Sequence, residues 1–454
     1  MITSVNPANN QAVGQTETST AAQIAQIVKE AHEAKAAWKA LGVHRRVELL
    51  RPLIEAFKQH GEEIRRLTTL EMGKPFTESR DDFNGEFHYT EAFLRDGPGY
   101  IADEIVFNSD KGQHRIVYEP RGVAVCVVAW NYPFTNFMWA VIPNLIVGNT
   151  VVIKHSEECV LLGKLLEKIM LENAQLPKGV FAAVHGGPEV GELLSQQPAD
   201  LMFFIGSSRT GHKLGQIAAE RNAKVVLEMG GSNPAIVFED VDVDAVAQNI
   251  FRQRFTNCGQ VCDAIKRVIV HESIFDAFVT KMTDQLKGLK IGDPALETTQ
   301  IGPLAAMRQL ELLESQVNDS IKAGARVVIG GKRPEGLDGA FYLPTILTNI
   351  KTDMRVWREE IFGPVLPVIT FKTIEEAVRL ANDTIYGLGS VVFSNDIARA
   401  RHVASLLDAG FVDINFGSHW RPCTPFGGIK ASGMGCEHGQ HGFRELCRMK
   451  VVAE

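Results

Sequence analysis

The segment Phe255-Thr256-Asn257-Cys258-Gly259-Gln260-Val261-Cys262 carries the side chain with the clearest potential for covalent chemistry. Cys262 follows Gly-Gln, which reads as a flexible polar turn and not as an apolar core strand. A thiol there can act as a nucleophile if it is exposed and its pKa is drawn from about 8.5 toward neutrality. A helical stretch after it would help by aiming backbone N–H groups at the sulfur. A second segment, Val226-Leu227-Glu228-Met229-Gly230-Gly231, puts a carboxylate at the end of a strand, ahead of two glycines that let backbone approach a ligand closely. Such a carboxylate can serve as general base toward a water. A third, Ala129-Trp130-Asn131-Tyr132-Pro133, offers an amide at a strand end that could donate to a developing oxyanion. That interaction is worth roughly 3–4 kcal/mol in comparable sites. Taken singly, each has a plain alternative: a structural cysteine, a solvated strand-end charge, a turn asparagine before proline.

These residues need a scaffold that brings strand ends together, and the sequence predicts one. From Gly122 onward, apolar runs alternate with helix-length stretches. The runs are Val123–Trp130, Thr150–Lys154, Phe181–Val184, Leu201–Ile205 and Val225–Leu227. Apolar runs without alternation, separated by helices, imply a parallel sheet covered on both faces, which binds ligands at the carboxyl ends of its strands. A second α/β set is expected from Pro234 to Asn415, with strands at Ala235–Phe238, Arg267–Val270, Ala325–Ile329, Leu366–Phe371, Ser390–Phe393 and Gly410–Asn415. Ahead of both, Ile24, Ile27, Val28, Ala31, Ala34 and Trp38 recur at helical spacing after a Ser19/Thr20 cap signal, and a later helix stops at Gly73.

The chain has 454 residues, too many for one core, so two or three domains are expected. Its net charge of -7 is mild and gives no reason to expect nucleic acid as partner. No apolar stretch is long enough to span a bilayer, and the N-terminus lacks a basic region followed by an apolar run, so a cytoplasmic protein is expected. The seven cysteines, odd in number and without zinc spacing, read as free thiols.

Five motifs occur in one order: Trp-Asn-x-Pro, Leu-Glu-x-Gly-Gly-x-Asn-Pro, Phe-x-Asn-x-Gly-Gln-x-Cys, Glu359-Glu360-Ile361-Phe362-Gly363-Pro364 and Pro425-Phe426-Gly427-Gly428-Ile429-Lys430-x-Ser432-Gly433. With them the chain resembles the aldehyde dehydrogenase superfamily over nearly its whole length, and short bacterial succinate-semialdehyde dehydrogenase-like members in size. The resemblance implies an α/β fold with a Rossmann-like dinucleotide-binding domain (residues 1–112 and 121–230), an α/β catalytic domain (231–440) and a small β oligomerisation extension (113–120 and 441–454). It implies Cys262 as nucleophile, Asn131 as oxyanion donor and Glu228 as deacylation base, with a thioester between two easier steps. It implies cofactor contacts at Trp130, Lys154, Glu157, Gly206, Ser207, Glu360 and Phe362. An acid at Glu157 argues for NAD over NADP.

The substrate implied is a small aldehyde, with succinate semialdehyde suggested by the size class. The arginines that grip its carboxylate in those enzymes fall here on Trp139 and Thr256. Tyr132, Trp139, Trp420 and Phe426 match tunnel positions instead, so broad oxidation of apolar or aromatic aldehydes is the alternative. A non-redox thiol hydrolase or acyltransferase is the competing class. No metal is implied, and a homodimer or homotetramer is expected. Cys258, four residues before Cys262, would lie near it if one helical turn joined them, which would permit a reversible disulfide; the alternative is a plain filler.

Overall fold

The computed structural model describes residues 1–454. Its first sheet has six strands in the order Gly433–Met434, Lys224–Glu228, Leu201–Ile205, Val123–Val127, Thr150–Lys154, Phe181–Val184. All pair in parallel except the short Gly433–Met434. Every residue of Thr150–Lys154 and Leu201–Ile205 is buried, as expected for strands with helices on both faces. The second sheet has seven strands in the order Arg326–Ile329, Thr345–Thr348, Val365–Phe371, Ile265–His271, Asn233–Val237, Gly389–Phe393, Phe411–Ile414. Only its first pair is antiparallel. Two large apolar clusters, of 46 and 43 buried residues, sit one on each sheet, so the chain does build two cores.

Four differences from the sequence-based expectations have physical reasons. The run Val123–Trp130 stops pairing at Val127, because Pro133 starts the helix Pro133–Val147 and the chain must turn before it. Helix Phe76–Tyr100 was not foreseen, since Gly85, Gly97 and Pro98 read as breakers. The hairpin Ile2–Asn6/Gln11–Thr16 is short and largely exposed, with little apolar pattern to reveal it. Finally, the three-stranded sheet Cys447–Ala453, Gly112–Pro120, Glu104–Ser109 takes in a strand that the expected bounds leave in the dinucleotide-binding part. The Thr20 capping box and the left-handed Gly73 C-cap stand where the sequence puts helix ends.

The connection between the sheets positions the chemistry. Glu228 ends a strand of the first sheet, and only Met229–Ser232 separate it from Asn233, which starts a strand of the second. The carboxyl edge of one parallel sheet therefore faces the amino edge of the other. Asn131, Glu157 and Ser207 follow strands on the first side. Cys262 and Phe362 precede Ile265–His271 and Val365–Phe371 on the second. The expectation that carboxyl ends carry the site holds for only half of it.

Candidate active site

Helix Val243–Phe255 ends at Thr256, and the chain then turns through left-handed residues: Asn257 (φ 53°, ψ 37°), Cys258 (φ 55°, ψ 31°) and Gly259 (φ 73°). Such residues cost of order 1–3 kcal/mol each outside glycine and persist only when their surroundings fix them. The Asn257 N–H donates to Glu78 Oε2 at 2.7 Å, and Asn257 Nδ2 to the Asn131 carbonyl at 2.9 Å. Gln260 Nε2 returns to the Asn257 carbonyl at 3.1 Å, while Gln260 Oε1 accepts from Ala305 N at 2.8 Å. Asn257, Cys258 and Gln260 are buried. The turn is thus fixed and enclosed, not flexible and polar. No helical turn joins Cys258 to Cys262, so the helical register behind their expected proximity is absent. No helix follows Cys262 either; a strand begins at Ile265.

This changes how the thiol must be activated. Burial holds the Cys262 thiol well above its ordinary pKa, and the neighbouring Glu228 and Asp263 carboxylates add to this, with Lys266 opposing. Glu228 is itself buried, with Oε1 free of any partner. Burial, followed by the charge of Glu437, holds its carboxyl well above the usual range. Glu228 thus disfavours a thiolate at Cys262, whereas contact with the thiol favours the carboxylate form of Glu228. Asn131 is tied to the same loop. Its Nδ2 donates to the Gln260 carbonyl at 3.2 Å, and its Oδ1 accepts from Asn136 Nδ2 at 3.2 Å, which fixes the amide's orientation. The backbone N–H of Cys262 donates no hydrogen bond within the chain, an open donor beside the sulfur.

Lys266, fully buried, ties the loop together. Its Nζ donates to the carbonyls of Gly231 and Cys262, both at 2.8 Å, and to Glu360 Oε1 at 2.6 Å. Glu360 also accepts from Gly231 N at 3.0 Å. Phe362 meets the Trp130 ring edge-on at 5.5 Å. Buried Arg254 donates to the carbonyls of Ile361, Gly363 and Val365, which anchors the Glu360–Phe362 loop to the helix before Cys262.

Residues that could hold a dinucleotide cluster at the first sheet's carboxyl edge. Lys154, buried, lies 3.5 Å from Glu157. A cationic donor beside a carboxylate acceptor fits a ribose diol. Glu157 also meets Arg308 at 3.4 Å. Gly206 and Ser207 lead into helix Ser208–Glu220, with Ser207 as N-cap. The exposed N-terminus of that helix suits a phosphate.

Trp139, Trp420 and Phe426 come together as one aromatic wall. Trp139 and Trp420 are 5.5 Å apart, and Trp420 stacks on Phe426 at 4.8 Å. Tyr89 joins them, 5.6 Å from Trp139 and 6.5 Å from Trp420. So does His438, 4.3 Å from Trp139. Tyr132 stands apart from these rings, with Lys74 Nζ 3.5 Å above its face. Burial holds its hydroxyl well above its ordinary pKa, and the charges of Asp82 and Glu78 add to this.

A profile of the aldehyde dehydrogenase family matches residues 1–452. The chain belongs to the aldehyde dehydrogenase family. It is 37% identical to aminoaldehyde dehydrogenase 1 of Pisum sativum, over 99% of this chain and 92% of that protein. It is 34% identical to an NADP-dependent succinate-semialdehyde dehydrogenase of Deinococcus radiodurans, over 99% and 94%. Among solved structures, betaine aldehyde dehydrogenase of Staphylococcus aureus in complex with NAD+ superposes with a TM-score of 0.95 at 33% identity, covering 99% of this chain and 91% of that one. The enzyme is therefore an oxidoreductase of aldehydes with the aldehyde dehydrogenase fold. No helix is long and apolar enough to cross a membrane.

Sequence reasoning missed Lys266, Tyr89, His438 and the group around Asp263. Lys266 gave a faint signal, as a lysine four residues past Cys262. Tyr89 lies on the unforeseen helix Phe76–Tyr100 and had none.

Proposed function

We propose that this enzyme oxidises a small aldehyde with a cationic, amine-bearing tail to its carboxylate, with NAD as acceptor. The wall of Tyr89, Trp139, Trp420 and Phe426 carries this reading. Such rings attract an ammonium through their faces, by about 0.5–2 kcal/mol per contact. Relatives named for aminoaldehydes and betaine aldehyde support it. The competing substrate, succinate semialdehyde, would rest on exposed Arg421 as its cation.

In the reaction, the Cys262 thiol gives up its proton to water and its sulfur adds to the carbonyl carbon, which leaves Glu228 unprotonated for the second half-reaction. Asn131 Nδ2 and the Cys262 N–H donate to the oxygen as it gains charge. Bound NAD would supply the hydride acceptor that this adduct needs to become a thioester. Glu228 then removes a proton from a water that attacks the acyl carbon, and sulfur departs. Lys154, Glu157, Gly206, Ser207, Trp130, Glu360 and Phe362 would hold the dinucleotide. Glu157 disfavours a 2′-phosphate, although its pairing with Arg308 weakens that discrimination. Replacing Asn131 by alanine is expected to lower kcat by about 10²–10³-fold, because the developing negative charge loses one fixed donor; steady-state rates at saturating aldehyde check this.

The substrate reading is tested with isosteres. Betaine aldehyde and 3,3-dimethylbutanal have the same shape and differ by one charge. A higher kcat/KM for the cation is expected, with 4-aminobutanal preferred over succinate semialdehyde and NAD over NADP. Equal rates on the isosteres would show that shape alone is read, and preference for succinate semialdehyde would move recognition to Arg421.

The sheet of Cys447–Ala453, Gly112–Pro120 and Glu104–Ser109 leaves Ile105, Val106, Phe107, Met449 and Val451 exposed. We infer that this face and its open edge join subunits in a homodimer or homotetramer, since an uncovered apolar edge invites aggregation.

A further inference from the structure

An acid follows the nucleophile directly. Asp263 Oδ1 accepts from the Cys262 thiol at 3.9 Å, and Oδ2 accepts from Trp420 Nε1 at 3.1 Å. No lysine or arginine pairs with Asp263. Its one charged partner is His419, whose Nε2 lies 3.3 Å from Oδ2 at an angle too oblique for a hydrogen bond. The other ring nitrogen, Nδ1, meets Asp413 Oδ2 at 2.9 Å. The imidazole lies flat on Phe411 at 3.5 Å and stacks toward Phe426 at 5.9 Å. All three polar side chains are only 10–13% exposed. Burial disfavours charge on His419, but contact with Asp263 and Asp413 outweighs it and lifts the imidazole to about 9. One imidazolium between two carboxylates leaves one net negative charge.

That charge sits inside the aldehyde-binding region. Asp263 acts electrostatically on Cys262, Glu228, Tyr89 and Tyr132 alike. It is bonded to the aromatic wall through Trp420. An ammonium on a short tail, with its carbonyl at Cys262, would meet this carboxylate and the Trp420 face together, and a carboxylated tail would be repelled.

We propose that Asp263 is a specificity-determining residue that selects cationic aldehydes, and that His419, locked by Asp413, is the positioning residue that holds it. The proposal rests on the cationic-tail reading above, and the experiment separates the two. Wild type, Asp263→Asn and His419→Gln are compared on betaine aldehyde and 3,3-dimethylbutanal. The ratio of kcat/KM values should favour the cation in wild type and fall by about 10-fold in Asp263→Asn, as for loss of one partly buried charge partner. His419→Gln should lower it less, mainly through KM. A second readout needs neither turnover nor cofactor: choline should protect Cys262 from iodoacetamide better than 3,3-dimethylbutan-1-ol does, and Asp263→Asn should remove the difference. A wild-type preference that survives in Asp263→Asn overturns the assignment. No preference in wild type overturns the cationic reading itself.

Discussion

Replacing Cys262 by alanine should reduce aldehyde-dependent NADH formation by about 10⁴-fold or more, as expected when the covalent route closes. The structure leaves no substitute. The other thiol of the loop, Cys258, is buried on a left-handed turn, and burial raises its pKa. The variant should still bind the dinucleotide, since none of the groups expected to hold it is altered. Protein fluorescence quenching by NADH measures that separately from turnover. Oxidation at an unchanged rate would remove the thioester from the mechanism.

Replacing Glu228 by glutamine should separate the two half-reactions. The amide cannot take a proton from water, so steady-state turnover is expected to fall by about 10²–10⁴-fold, the usual range for a lost general base. A first turnover of NADH, close to one per site, should remain visible by stopped flow. If the burst is lost in equal measure, Glu228 is needed to deprotonate Cys262 as well. The wild-type pH profile bears on the same group. Burial and the neighbouring Glu437 raise the Glu228 carboxyl. Its basic form therefore grows as pH rises, and deacylation should accelerate with pH above the range of an ordinary carboxylate. Glutamine should flatten that slope.

The placement of candidate site residues was legible wherever one short segment carries both the polar group and its turn. Glu228 before two glycines, Asn131 after an apolar strand and Cys262 after Gly-Gln are of this kind, and the structure gathers all three. The parallel strands were legible because burial on both faces demands unbroken apolar runs. What stayed hidden depends on residues far apart in the chain. His419 and Asp413 reach Asp263 across about 150 positions, and only the second sheet's strand order brings them together. The rigidity of the Asn257–Gly259 turn was hidden for the same reason, since it rests on Glu78 and Asn131. Reading Gly-Gln as flexible took the local composition at face value, where tertiary hydrogen bonds decide. The raised pKa of Cys262 follows from that enclosure.

The cysteines differ sharply in accessibility. Cys126, Cys159, Cys258 and Cys447 are buried, Cys262 and Cys436 are half-buried, and only Cys423 is exposed. A mild aryl disulfide added to the native enzyme should therefore register at most three sulfhydryls, and denaturant should release the remaining four. With serine at 423 and 436, Cys262 becomes the sole sulfur open to native labelling. A fluorophore or spin probe could then be installed there stoichiometrically, and active centres counted without an assay.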